Sequence, residues 1–456
     1  MGLPVCAGLQ MLRVPMLRAQ SDGCQRTASY DPVAFKRSSS ITAKPDMRRL
    51  RLYGKNPTAA QGVSEMASKG ERIDGLDALR GFAIFGILLI NIQVFSGWGF
   101  VSADTRQALT WSEWDEPIAT WLDILVRAKF YSLFSLLFGY SFMMLAQRVQ
   151  HGPVRYHLRR MLGLLVIGAA HSLFLSPWDI LMLYGVMGLF LGAFLNVRAP
   201  TLAAGGVALL VFTGVALWFA PQLGLADLGS GISLRLLQDN VPALSGGSYL
   251  EVVEANAYLS VSVFLDRIEH LRPLRVLAMF LFGAAAARLH LAERNSGHVR
   301  LLVAVALVGL VVGTALAMAE VKLGEESLAH RVVNLLGGVG APPLLAMGYG
   351  AVLLLWWRGR GRLTGAVRSA LAPTGRMALT NYILQSAVCI CVFYGMWGDR
   401  FASLSLAALM LYSTVLFIAQ MIFSAVWLRL FTQGPLEWLW RWQMKRKRPR
   451  LLRTEA

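Results

Sequence analysis

The chain has 456 residues, 55% of them hydrophobic and only 15% charged, with a mean hydropathy of +0.51. That balance excludes a soluble globular domain and identifies a polytopic membrane protein. The net charge of +18 reads as Lys- and Arg-rich cytoplasmic loops, not a nucleic-acid surface. Cys6, Cys24, Cys389 and Cys391 contain no CxxC pair, so neither a disulfide framework nor a metal site is expected.

Residues 1–70 are basic, rich in Ser and Arg, and without helical or strand periodicity. Arg13 and Arg18 interrupt any apolar signal-peptide core, so the stretch reads as a disordered extension or a targeting tail. Residues 71–442 form the transmembrane helical domain. About ten crossing helices are expected, near 81–100, 130–147, 161–175, 178–196, 201–220, 276–291, 301–320, 333–357, 377–397 and 405–428. Thirteen Lys and Arg lie in residues 1–80, 21 in alternate loops and only 10 in the longer opposite loops. The positive-inside rule then puts both termini in the cytoplasm. The segment 101–128, with Trp111, Trp114 and Trp121 among acids, suits a helix lying at the outer interface. Residues 221–272 read as a cap, a re-entrant element or an exposed loop. The tail 443–456 is basic and suits an anionic cytoplasmic leaflet.

Ionisable groups inside the hydrocarbon are costly, and where they occur a functional site is the first hypothesis. The stretch AHSLFLSPWDILMLYG, Ala170 to Gly185, reads as two helices joined by a tight Ser176-Pro177 turn. It brings His171 and Asp179 to one membrane face, where the carboxylate can orient the imidazole as a base. Tyr184, below Asp179, adds a hydroxyl. Asp77, Arg80, Ile84, Ile87 and Asn91 share one face of the first span. Asp77 and Arg80 then stand at the inner mouth with Arg376. Asn91 either lines a path or bonds a neighbouring helix. Lys129 opens the second span at the outer side, while Arg272 and Arg275 open the sixth. Asn381 and Gln385, at i,i+4, share a face of the ninth. Glu437 is the acid nearest the inner C-terminal end.

The motifs LDALRGFAIFGILLINI, KFYSLFSLLFG, the H…DIL..YG hairpin, GRMALTNYILQS and GPLEWLWR together resemble the bacterial YeiB family, a domain of unknown function (418). The resemblance covers roughly residues 72–442 and implies a multi-pass protein of the bacterial inner (plasma) membrane. The LDxLRG opening is also similar to that of membrane acyltransferases of the heparan glucosaminide N-acetyltransferase type, which implies a catalytic histidine. The first span here carries Asn91 and no histidine, so that role falls to His171 alone. Two functions are weighed. In an acyltransferase, His171 is base, Asp179 orients it, and Lys129, Arg272 or Arg275 hold an anionic acceptor. Asp77, Arg80 and Arg376 receive a cytoplasmic donor such as acyl-CoA, with no bound cofactor. In a transporter or lipid-handling protein, Asn91, Asn381 and Gln385 bind substrate and His171 with Asp179 relays protons. The partners expected are the bilayer and a small-molecule, lipid or glycan substrate. The sequence leaves the oligomeric state open.

Overall fold

Within hydrocarbon a backbone must satisfy its own hydrogen bonds, so the long apolar runs fold as helices. The computed structural model describes residues 57–148, 153–223, 230–293, 296–322, 328–359, 361–395, 397–445 and 450–452. In chain order the helices are α1 (Pro57–Phe95), α2 (Ala103–Gln107), α3 (Asp115–Leu125), α4 (Lys129–Arg148), α5 (Pro153–Phe174) and α6 (Leu181–Leu191). They continue as α7 (Ala199–Phe219), α8 (Ser230–Gly246), α9 (Tyr249–Glu269), α10 (Arg272–Arg288) and α11 (Val299–Lys322). The last five are α12 (Leu328–Trp357), α13 (Arg362–Arg376), α14 (Ala378–Phe393), α15 (Leu406–Leu430) and α16 (Pro435–Lys445). Among the described residues the only strand-like pairing is a bridge between Phe431 and Leu452. Of the extension expected over residues 1–70, positions 1–56 lie outside the described residues, and 57–70 form the first turns of α1. Residues 446–449 and 453–456 of the expected basic tail lie outside them too.

The protein is an all-α membrane protein. Six described helices are long and apolar enough to cross a membrane, or up to eight if each of two bent pairs counts as one span. The bent pairs are α9 with α10, at 68°, and α13 with α14, at 77°. The ten expected spans include α5 and α6, which fall outside this count. The first carries Arg155, His157, Arg159, Arg160 and His171, and the second is only 11 residues long before a 3-10 turn. Ten is therefore an approximate figure. The segment expected as a cap or loop at 221–272 contains two helices, α8 and α9. Trp111, Trp114 and Trp121 are exposed, as an interfacial position requires.

Helices in lipid gain little from the hydrophobic effect against each other, and small residues at the crossings let backbones touch. Two crossings depend on this. Where α4 meets α10, a Cβ on Gly283 would fall 1.9 Å from the Leu136 carbonyl oxygen, and one on Gly139 2.0 Å from that of Phe280. Where α1 meets α13, a Cβ on Gly375 would lie 1.7 Å from the Asp77 carbonyl oxygen. Around them two apolar clusters form. One joins α4, α5, α6 and α10 through Tyr184, Phe138 and Phe280; the other joins α1, α9, α14 and α15 through Leu88, Leu259 and Phe393. The helices α7, α11 and α15 present Phe212, Val311 and Ile418 outward, as lipid-facing helices do.

The crossing at Gly375 gives a direct test. Gly375→Ala should destabilise the protein by at least about 1–3 kcal/mol, the usual cost of overpacking. Gly365→Ala, on the same helix with nothing within 4 Å, should be neutral or slightly stabilising. Thermal unfolding in detergent reads both, and equal effects would refute the close approach.

Candidate functional site

The site begins with how α5 ends. The N–H groups of Leu175 and Ser176 both donate to the His171 carbonyl, at 2.9 and 2.8 Å, and close the helix before Pro177. Asp179 follows two residues on. One of its oxygens, Oδ2, accepts the Met182 N–H at 2.8 Å and caps α6. A helix N-terminus has unsatisfied N–H groups and a partial positive charge, which suits a carboxylate. Gly168 makes room for it, since a Cβ there would come 2.9 Å from Oδ2. The other oxygen, Oδ1, lies 3.0 Å from His171 Nδ1, with both side chains only 1% exposed. The two atoms are at ion-pair distance but are not aligned for a hydrogen bond.

The far side of the imidazole faces α14. His171 Nε2 lies 2.8 Å from Ser386 Oγ, 215 residues away in the chain, and both are buried. Asp179, His171 and Ser386 therefore stand in sequence: carboxylate, imidazole, hydroxyl. With the serine donating to Nε2, the remaining ring proton sits on Nδ1, toward the carboxylate. Tyr382, one turn before Ser386, packs its ring against His171 with centroids 5.1 Å apart. Its hydroxyl accepts the Ile180 N–H at 3.4 Å.

Tyr382, Ile180 and Trp178 also line a cavity of about 870 Å³, so the three-residue array lies one layer of side chains behind it. The volume falls within the range of small-molecule sites. Four expected residues line it: Asn91, Lys129, Arg272 and Arg275. Lys129 Nζ donates to the Asp123 carbonyl, Arg272 pairs with Asp266 at 3.1 Å, and Arg275 donates to the His270 carbonyl at 2.9 Å. Arg127, ion-paired with Asp123, and Arg267 join them on the lining. The α9–α10 bend turns at Leu271, whose φ of +49° is left-handed. For a residue other than glycine that costs roughly 1–2 kcal/mol.

Other expected positions lie elsewhere. Tyr184 is buried against α4, its hydroxyl donating to the Tyr131 carbonyl at 2.9 Å and sharing a hydrogen with Ser135 at 2.7 Å. Asn381 donates to the Thr374 carbonyl and to Ser424, at 3.1 and 2.9 Å, and Gln385 donates to Gln420 at 2.9 Å. These amides join α14 to α15 and do not line the cavity. Asp77 is buried and ion-paired with Arg80, which also donates to Ser141 at 2.7 Å, while Arg376 is exposed. Among the described residues no group of three or more His, Cys, Asp or Glu side chains is arranged to hold a metal ion.

Two residues, Ser386 and Arg267, are not singled out by the sequence, and a third has a role there that the sequence does not show. Ser386 closes the motif GRMALTNYILQS, at i+4 from Tyr382, and only the fold brings that turn against His171. Arg267 was counted with a loop, because α9 carries too many polar residues to read as a span. The third, Glu437 in GPLEWLWR, was noted only as an isolated acid. Its Oε1 accepts the Leu379 and Thr380 N–H groups at 2.7 and 3.1 Å, and Oε2 accepts the Thr380 hydroxyl. Glu437 thereby caps α14 at the bend after α13 and fixes the helix that carries Ser386.

The comparisons agree with the motifs. Residues 286–447 match the family model described as "Protein of unknown function (DUF418)". Uncharacterized protein YxaH of Bacillus subtilis (strain 168) is 30% identical over 399 residues, covering 81% of this chain and 94% of its own. The chain belongs to the DUF418 family. Uncharacterized protein YeiB of Escherichia coli (strain K12) is 29% identical over 400 residues, covering 81% of this DUF418 chain and 96% of its own. An uncharacterized 39.9 kDa protein in the amylase 3' region of Bacillus acidopullulyticus is 29% identical over 396 residues, covering 85% and 98%. No solved structure matches.

The cap on α14 yields a pH prediction. Burial pushes the Glu437 carboxyl above its ordinary 4.5, against the lowering effect of its hydrogen bonds. The folded state thus binds this proton more tightly than the unfolded state. Its contribution is greatest below pH 4.5 and is lost as pH rises through the raised folded value. Relative to Glu437→Gln, wild type should gain stability as pH falls toward 4.5, read as a difference in thermal midpoint across a pH series. Parallel curves would refute a raised Glu437.

Proposed function

We propose that this DUF418 protein is a membrane-embedded acyltransferase in which Ser386 is the nucleophile, His171 the general base and Asp179 the group that orients the imidazole. The observation that carries the reading is the buried order Asp179, His171, Ser386, with 3.0 and 2.8 Å between successive polar atoms. A nucleophile within hydrogen-bond reach of a base that a third group orients is the signature of covalent acyl transfer. The donor class is a thioester such as acyl-CoA.

His171 Nε2 takes the Ser386 proton as Oγ attacks the acyl carbonyl. The tetrahedral adduct collapses, the C–S bond breaks, and the departing thiolate takes the proton from the imidazolium. The acyl group is then an ester on Ser386. In the second half, an acceptor hydroxyl or amine gives a proton to His171 and attacks that ester. The C–Oγ bond breaks, and Ser386 recovers the proton. Asp179 keeps the Nδ1 proton in place throughout. Tyr382 covers His171 on the cavity side, so its ring must swing for an acyl group to arrive.

A bacterial plasma membrane with both termini in the cytoplasm is the setting that the basic-residue asymmetry supports. In that orientation Asp77, Arg80 and Arg376 face the donor compartment. The alternative, a transporter or lipid-handling protein using the polar face of α14, draws no support from Asn381 and Gln385, whose amides are committed to other helices.

A serine-directed fluorophosphonate, whose reactivity does not depend on knowing the acceptor, should label Ser386 in purified full-length protein. Ser386→Ala should abolish labelling, and His171→Ala should slow it by about 10²–10⁴-fold, the usual worth of a general base. Asp179→Asn should slow it less. Hydrolysis of acyl-CoA should fall in parallel. Folded wild type left unlabelled at Ser386, or variants as reactive as wild type, would refute the assignment.

A further inference from the structure

We propose that the bend between α9 and α10 is the anion-binding end of the cavity, where Arg267 holds a phosphate monoester carried by an amphiphilic substrate. The inference deepens the acyl-transfer reading and rests on it for the role of that substrate, but not for its binding.

Charge is the first argument. Five basic side chains line the cavity against three acidic ones. Arg127, Lys129, Arg272 and Arg275 each have a carboxylate or a carbonyl to hold. Arg267 makes no hydrogen bond or ion pair with another described residue; its electrostatic neighbours are Asp179, Tyr382, Arg272 and Asp266. Asp179 and Asp266 offset part of the cost of a guanidinium inside a helical membrane domain, but they leave its hydrogen-bond donors uncommitted. Its fork of donors is built to take two oxygens of one oxyanion at once. Arg267 lines the cavity and is the lining arginine that feels Asp179, of the Asp179–His171 pair, electrostatically.

Backbone geometry is the second. The left-handed turn at Leu271 is strained, and strain of this kind gathers at ligand clamps. Here it sets Arg267, in the last turns of α9, beside Arg272 and Arg275 in the first turn of α10, around one mouth. The Asp266–Arg272 pair and the Arg275 bond to the His270 carbonyl hold the turn.

The third is the shape of the lining. To the same lining α1 contributes Ile87, Ile90 and Val94, apolar surface for an acyl chain. An excess of two positive charges matches a phosphate monoester, which carries about −1.5 to −2 at neutral pH, better than a single carboxylate. Such a group comes either on a lipid, as in phosphatidic acid, or on a soluble ester such as glycerol 1-phosphate.

Thermal unfolding of detergent-purified full-length protein decides the matter. Sodium phosphate should raise the midpoint saturably above sodium chloride of equal ionic strength. Short-chain phosphatidic acid moving the midpoint further than glycerol 1-phosphate marks a lipid source, and the reverse order a soluble one. Arg267→Gln should weaken the phosphate effect at least about ten-fold, whereas Arg362→Gln, on the exposed start of α13, should not alter it. Should Arg267→Gln fail to fold, Arg267→Lys decides, because it keeps the charge and loses the fork, with weaker phosphate binding expected. His171→Ala should still respond to phosphate. A wild type that phosphate does not move, or an Arg267→Gln protein that responds like wild type, overturns the proposal. Phosphate binding through Arg267 without any thioester turnover would sink the catalytic reading and leave this site standing.

Discussion

A carboxylate enclosed by apolar helices must be answered from within the protein, and Asp179 is answered twice. The free N–H of Met182 at the start of α6 takes one oxygen, and the His171 imidazole faces the other. That division fixes much else. It sets the entry angle of α6, and it needs Gly168 on α5 to leave space. It also turns Nε2 of the imidazole away from the hairpin, toward α14. A buried carboxylate with one oxygen spent on a cap still needs a partner for the other, and a buried imidazole needs one at each nitrogen, so the three groups also answer one another. The cap gives the carboxylate its fixed position; the histidine gives that position a chemical use.

What could be read in the sequence follows the range of the interactions. Apolar runs are local, so the helices were legible from periodicity and length, and the hairpin turn placed His171 and Asp179 together because only a few residues part them. Tyr184 shows where local reasoning stops. Its spacing from Asp179 was sound, but the rotation of α6 faces its hydroxyl to Tyr131 and Ser135 on α4. Ser386 shows the converse. Nothing within α14 distinguishes it from a packing serine, and only the docking of that helix against α5, 215 residues earlier, makes it a partner of His171. Asn381 and Gln385 carried the right polarity for a path, yet polar groups in a bundle are as readily spent on joining helices.

The acyltransferase resemblance led to a histidine, and the structure supplies a fuller constellation than the resemblance implied. A single base can activate an acceptor directly. A base placed between an orienting carboxylate and a buried serine is suited to a covalent intermediate, which divides one difficult transfer into two easier ones. Such an intermediate also lets donor and acceptor arrive at different times, as the proposed reading requires.

The two bent helix pairs sharpen this picture. A break in a membrane helix exposes backbone groups that lipid cannot satisfy, so each break must be closed by protein or open onto a cavity. The bend after α13 is closed: Glu437 takes the freed N–H groups of Leu379 and Thr380. It holds α14, and with it Tyr382 and Ser386, at a fixed height against His171. At the bend after α9, Arg275 takes the His270 carbonyl, while Arg267 faces the cavity with no hydrogen bond or ion pair to another described residue, Asp179 and Asp266 acting on it only through space. One break therefore anchors the helix that carries Ser386, and the other presents charge to the cavity. Tyr382 lies between them, touching His171 on one side and the cavity on the other. Arg267 interacts electrostatically with both Asp179 and Tyr382, so the charge at this bend is felt at the carboxylate beside the imidazole and at the ring that covers it.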